Sequence, residues 1–159
     1  VMSMSDDNNN DSDWLKAGNI ARQALDFGEG LIKKGTKVVD VLDKVEDKIH
    51  ALGGGIAFPA QISMDNVAAH YCSEQDDEMV FDKQVVSLDV GAEYNGAIGD
   101  NAVTVDLSGE QKDLVNASRE ALKAATEKLC VGVSLGEIGQ AIQDTINDAG
   151  FQPVKNLSG

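Results

Sequence analysis

Two aspartates stand where acidic residues are unusual, inside apolar β-branched runs. Asp89 interrupts VVSLDVGAEY, and Asp100 lies in GAIGDNAVTV. Asn95-Gly96 between the runs is a strong two-residue turn signal. With that turn Tyr94 faces Ala97, Asp89 faces Ala102 and Gly91 faces Asp100. The two aspartates become diagonal neighbours on one face of a hairpin, about 7–8 Å apart at the backbone. Ser87, Asp89, Gly91 and Glu93 share that face. Val86, Leu88, Val90, Ala92 and Tyr94 share the other. Two carboxylates so placed repel unless a proton or a cation lies between them. A pair of divalent metals about 3.5–4 Å apart suits them, one carboxylate chelating and the other bridging. The same pattern also fits solvated charges on an exposed hairpin face, and one bulge would undo the register.

The other chemically capable residues are weaker signals. His70, in AAHY after an apolar stretch, fits a hydrogen-bonded structural histidine as well as a catalyst. His50, near the end of a helical pattern, reads as a surface residue favoured by the helix dipole. Cys72 and Cys130 read as buried or half-buried thiols with no activating neighbour. They are too few for a disulfide framework or a zinc site. Phe58-Pro59 punctuates the start of a strand and by itself reads as packing. The glycine-rich LGGGIAF lacks the lysine and spacing of a phosphate loop.

The elements that must position these residues follow from apolar spacing. Residues 1–12, polar and acidic, read as a disordered tail. From Asp13 the pattern is helical, with Ala17, Ile20, Ala21, Ala24 and Leu25 at three- and four-residue steps. A second helix carries Val38, Val41, Leu42, Val45, Ile49 and Leu52 and stops at Gly53-Gly54-Gly55. Then come VVSLDV and AVTVDL as strands. A helix to about Cys130 follows, opened by a capping box at Ser108 and Gln111. Another runs from a box at Ser134 and Glu137 to Gly150 as its C′ glycine. FQPVKNL reads as a last strand. The order predicts an α/β (α+β) fold.

Composition narrows the function classes. Of 159 residues, 13 are Lys or Arg and 27 Asp or Glu, a formal charge of −14. That balance argues against nucleic acid or an anionic membrane as a partner. No apolar run approaches the roughly 20 residues that span a bilayer, and no secretory signal is legible. The expectation is an acidic cytoplasmic protein. The chain begins on Val1 and stops on Leu-Ser-Gly straight after an apparent strand, which invites reading it as a fragment.

LGGGIAFPAQISMDNVAAHY, VVSLDVGAEYNGAIGDNAVTVDL and GFQPVKNLSG together resemble, in order and spacing, the type II methionine aminopeptidases, most like the archaeal ones. The resemblance covers Trp14 to Gly159. It implies the pita-bread fold, two pseudo-symmetric halves around a dinuclear metal site, of which residues 13–159 are the N-terminal half. The implied activity is removal of the initiator methionine from nascent polypeptides, with two divalent ions (Co, Mn, Fe or Zn). Asp89 would be the chelating ligand and Asp100 the bridging one. His70 matches a substrate-contacting catalytic histidine, and Phe58 a wall of the methionine side-chain pocket.

The family's next ligand is a histidine directly after N-L-S-G, one residue beyond Gly159. Two glutamate ligands and a second catalytic histidine lie in the half not present, so the 159 residues alone are expected to be inactive. The implied partners are the nascent N-terminus, the ribosome and the C-terminal half of the same enzyme. Rival readings are an Xaa-Pro dipeptidase, which AFP…AAHY disfavours, and a non-catalytic pita-bread scaffold bound to ribosomes or RNA. Retention of both aspartates and the acidity of the chain disfavour the scaffold. A separately expressed half that joins a partner chain is a further alternative.

Overall fold

The computed structural model describes residues 7–154, without the side chains of 7–10 and 68–70. The chain divides into two units, Val1–Ser108 and Gly109–Gly159. In the first, the helical spacing becomes α1, Asp7–Leu31, and α2, Val38–Ala51. Helix α1 begins inside the stretch expected to be a disordered tail, so residues 7–12 are helical. Acidic residues such as Asp7 are favoured at the positive end of a helix. Residues 1–6 lie outside the described ones. Helix α2 stops where the glycine triplet predicts. Gly53, at φ +84°, donates to His50 O at 2.9 Å, and Gly54 donates to Ile49 O at 3.1 Å, a glycine-closed C-terminus.

Four strands follow: β1, Gly55–Met64; β2, Val67–Tyr71; β3, Val85–Tyr94; β4, Ala97–Asp106. They form an antiparallel sheet in the order β2-β1-β3-β4. The helices cover one face, where Ile20, Val45 and Ile49 meet Ile62, Val86, Leu88 and Val90 in one buried cluster. Glycine permits two close approaches. A Cβ on Gly28 of α1 would collide with Leu88 and Val45, and one on Gly99 of β4 would collide with the backbone of Ala17. The connection from β2 to β3 is tied to the α1–α2 turn. Phe81 is fully buried, Gly35 N–H donates to Phe81 O at 2.7 Å, and Phe81 N–H donates to Thr36 O at 3.0 Å.

The second unit contains α3, Lys112–Lys128, and α4, Leu135–Asp148. Ala117, Ala121 and Ala125 form the buried stripe of α3. Helix α4 carries the predicted capping box: Glu137 N–H donates to Ser134 Oγ at 3.2 Å, and Ser134 N–H donates to Glu137 Oε2 at 3.1 Å. Its C-terminus closes on Gly150, at φ +85°. Ser108, expected to open α3 as the first residue of a capping box, is not its N-cap. Both the N–H and the hydroxyl of Ser108 turn back to Asp106 Oδ1, at 3.0 and 2.6 Å. The N-cap of α3 falls instead on Gln111. Local side-chain bonds of this kind compete with capping. Of FQPVKNL, Phe151–Val154 form no strand, because a ladder needs a partner and the described part of this unit is helical. The remainder lies outside the described residues.

Candidate functional site

The site starts from the β3–β4 turn. Asn95 and Gly96 have φ of 51° and 86°, the left-handed pair that a tight hairpin turn requires and that these two residue types tolerate. From it the ladder runs without a shift from Tyr94↔Ala97 to Val85↔Asp106, through Gly91↔Asp100 and Asp89↔Ala102. The predicted register is therefore the observed one. Val86, Leu88, Val90 and Ala92 are buried on the helix-covered face. Asp89 and Asp100 lie on the other, diagonal to one another. Asp89 is half-buried with its Oδ1 out of contact with solvent, and Asp100 is exposed. Further along that face the hydroxyls of Ser87 and Thr104 bond directly at 2.9 Å.

Phe58 reaches the same face by an irregularity. Strict alternation along β1 would put it with Ile56, Ala60 and Ile62, toward the helices. Instead the pairing of β1 with β3 slips twice, between Ile56 and Phe58 and again between Phe58 and Gln61. Phe58 is thereby set opposite Gly91, and Ile62 returns to the core opposite Leu88. A Cβ on Gly91 would fall inside the Phe58 ring. The ring thus covers the one residue that lies both two positions along from Asp89 and directly across from Asp100. Sequence reading treated Phe58-Pro59 as packing at a strand start. The missed signals were a proline inside a central strand, which requires a bulge, and a glycine inside a strand, which marks a close approach.

His70 lies in β2, the strand beyond β1, and its side chain is outside the described part of the structure. Its neighbour Tyr71 pairs with Ile62 and packs against the core cluster. The Tyr71 hydroxyl donates to Asp77, which also accepts the Met79 N–H at 2.8 Å. The Tyr71 bond, then the Met79 bond, hold the Asp77 carboxyl below its usual range, and the Asp77 carboxylate raises the Tyr71 phenol. His50 is exposed, with Nδ1 3.3 Å from Gly54 O, as expected of a surface residue. The cysteines correct the sequence reading. Cys72 and Cys130 are both exposed, because they sit in the connections after β2 and α3, outside the periodic apolar faces.

Carboxylate oxygens are hard donors that suit Mn, Fe, Co or Zn alongside histidine. A half-buried carboxylate such as Asp89 is also favoured by a nearby cation. Among the described residues no three His, Cys, Asp or Glu gather into a metal-binding group. Asp89 and Asp100 supply two carboxylates on one sheet face, the donor chemistry that such an ion takes.

Residues 14–159 match the family model described as metallopeptidase family M24. The chain belongs to that family. Membership in M24 implies a divalent metal cofactor. Among its relatives, a methionine aminopeptidase of Archaeoglobus fulgidus is 47% identical over 146 residues, 91% of this chain and 50% of the relative. One of Methanocaldococcus jannaschii is 42% identical with the same coverage. The chain spans about half the length of the curated relatives it matches. The crystal structure of the Thermotoga maritima methionine aminopeptidase superposes with a TM-score of 0.84 at 30% identity, over 91% of this chain and 62% of that one. Escherichia coli aminopeptidase P superposes at 0.76 with 17% identity, over 87% of this chain and 32% of its own, a likeness of fold alone. The chain is thus mixed α/β and matches about half of a pita-bread architecture. Among the described residues no helix is long and apolar enough to cross a membrane.

Proposed function

We propose that this M24 chain is part of a cytoplasmic methionine aminopeptidase, in which Asp89 and Asp100 hold two divalent ions together with donors beyond the described residues. The observation that carries the reading is the shared face: two in-register carboxylates with the Phe58 ring over the glycine between them. When bound, such ions supply a hydroxide nucleophile near neutral pH and polarise a carbonyl. The chain's own residues do the rest. Asp89 and Asp100 neutralise and fix the ions. Phe58 offers a flat apolar wall to an unbranched side chain such as methionine. His70 contacts the substrate and helps to polarise or orient the scissile amide. The substrate is the N-terminus of a nascent polypeptide, met at the ribosome. The names of the archaeal and Thermotoga relatives support this over the Xaa-Pro reading, since aminopeptidase P shares only the fold.

The test uses protein completed to the length of its relatives. Asp100→Asn, which removes the proposed bridge, is expected to lose both ions by elemental analysis. Asp89→Asn is expected to keep partial occupancy. Methionine release from a Met-Ala-Ser peptide should be lost in both. Full metal content in Asp100→Asn would remove Asp100 from the ligand set, and preferential cleavage of an Xaa-Pro dipeptide would restore the rival.

A further inference from the structure

The displacement of Phe58 onto the acidic face has a specific anchor. Pro59 has no N–H, and the N–H of the next residue, Ala60, lies within the second slip of the β1–β3 ladder. A buried N–H diverted from its ladder must find another acceptor or carry the cost of going unsatisfied. Ala60 is buried, and its N–H donates to Glu46 Oε1 at 2.9 Å. Glu46 stands on α2 next to Val45, half-buried beneath β1. Its carboxylate replaces the strand acceptor at the point where regular alternation would return Phe58 to the core side. A charged acceptor makes this one of the stronger classes of hydrogen bond.

We infer that Glu46 is a positioning residue: by capturing the Ala60 N–H it holds the β1 bulge that keeps the Phe58 ring over Gly91, on the face of Asp89 and Asp100. Glu46 touches neither substrate nor metal and acts only through the backbone. Its consequence for specificity rests on the reading of Phe58 as a wall of the methionine pocket. Without the Glu46 carboxylate, the Ala60 N–H has reason to rejoin the β1–β3 ladder. That shift carries Phe58 toward the face of Ile56 and Ile62.

Two measurements separate the inference from the reading it rests on. In the 159-residue chain, amide exchange reports the Ala60 N–H, and nuclear Overhauser contacts between the Phe58 ring and the Gly91 α-protons report the ring. Glu46→Ala is expected to speed Ala60 exchange about tenfold or more and to remove the ring contacts. Glu46→Gln, which keeps an acceptor oxygen, should preserve both. Glu46→Asp, which withdraws the carboxylate by one methylene, should behave as Glu46→Ala and serves if that variant does not fold. Unchanged protection and ring contacts in Glu46→Ala or Glu46→Asp overturn the inference.

In metal-loaded protein of full length, Glu46→Ala is expected to raise KM for a methionyl peptide about three- to tenfold with kcat largely kept, and Glu46→Gln to restore it. A displaced ring with unchanged KM upholds the positioning role and overturns the role of Phe58 as a pocket wall.

Discussion

The two faces of the β3–β4 hairpin are built from the same twenty residues of strand and do opposite work. On one, Val86, Leu88, Val90 and Ala92 are fully buried beneath α1 and α2. On the other, Ser87, Asp89 and Gly91 oppose Thr104, Ala102 and Asp100, and the Phe58 ring from β1 covers Gly91. A strand's period of two lets adjacent residues belong to different environments. Stability can therefore reside on alternate residues of each strand and chemistry on those between them, with one backbone serving both. Small and polar residues on the second face contribute little to the core, which leaves that face free to carry carboxylates.

The largest effect should come from the core face. Leu88→Ala is expected to cost about 2–5 kcal/mol in urea unfolding of the metal-free chain, because Leu88 fills the space left by Gly28 and packed by Val45. Asp100→Asn, exposed on the opposite face, should stay within about 0.5 kcal/mol of the parent. Equal losses would break the division of labour between the faces.

A smaller effect sharpens the contrast from the other side. Gly91→Ala places a methyl inside the Phe58 ring and is expected to cost about 1–3 kcal/mol. Much of that loss should be recovered when Phe58→Ala is added. A double-mutant cycle with no coupling would mean that the ring does not occupy the acidic face.

The smallest effect is a pH dependence at the far edge of the sheet. The Asp77 carboxyl is lowered chiefly by the Tyr71 hydroxyl. Its contribution is therefore complete above the ordinary aspartate value and is lost as pH falls through the lower folded value. The raised Tyr71 phenol gives the converse at high pH. Its contribution is complete below the ordinary tyrosine value and is lost as pH rises through the raised one. Acidification from pH 5 should loosen the Tyr71 end of β2, read by amide exchange, while β3 and β4 stay protected. Simultaneous opening of the hairpin would show that the edge and the core face are not separate.

Much of the hairpin was legible because its determinants are adjacent in sequence. Asn95-Gly96 specifies the turn, the turn specifies the register, and the register specifies which face each aspartate takes. The capping box of α4 and its closing Gly150 were legible for the same reason. Where reading failed, a competitor was involved that local pattern does not rank. Ser108 could cap a helix or bond Asp106, and the fold takes the second. Cys72 and Cys130 resemble core residues by type, yet they fall in connections that no face covers.

By itself, then, the sequence determined the alternation of β3 and β4, the shared face of Asp89 and Asp100, and the helices whose apolar stripes cover the other side. Only the tertiary structure decided where Phe58 goes. Alternation within β1 assigns it to the core. The double slip against β3, the bond from Ala60 to Glu46 and the empty Cβ position of Gly91 assign it to the acidic face. Those contacts come from α2 and β3, outside the strand that carries Phe58. Their joint effect exists only once strand and helix are packed together. The sequence therefore marks a bulge and a close approach by Pro59 and Gly91 but leaves the destination of the ring open.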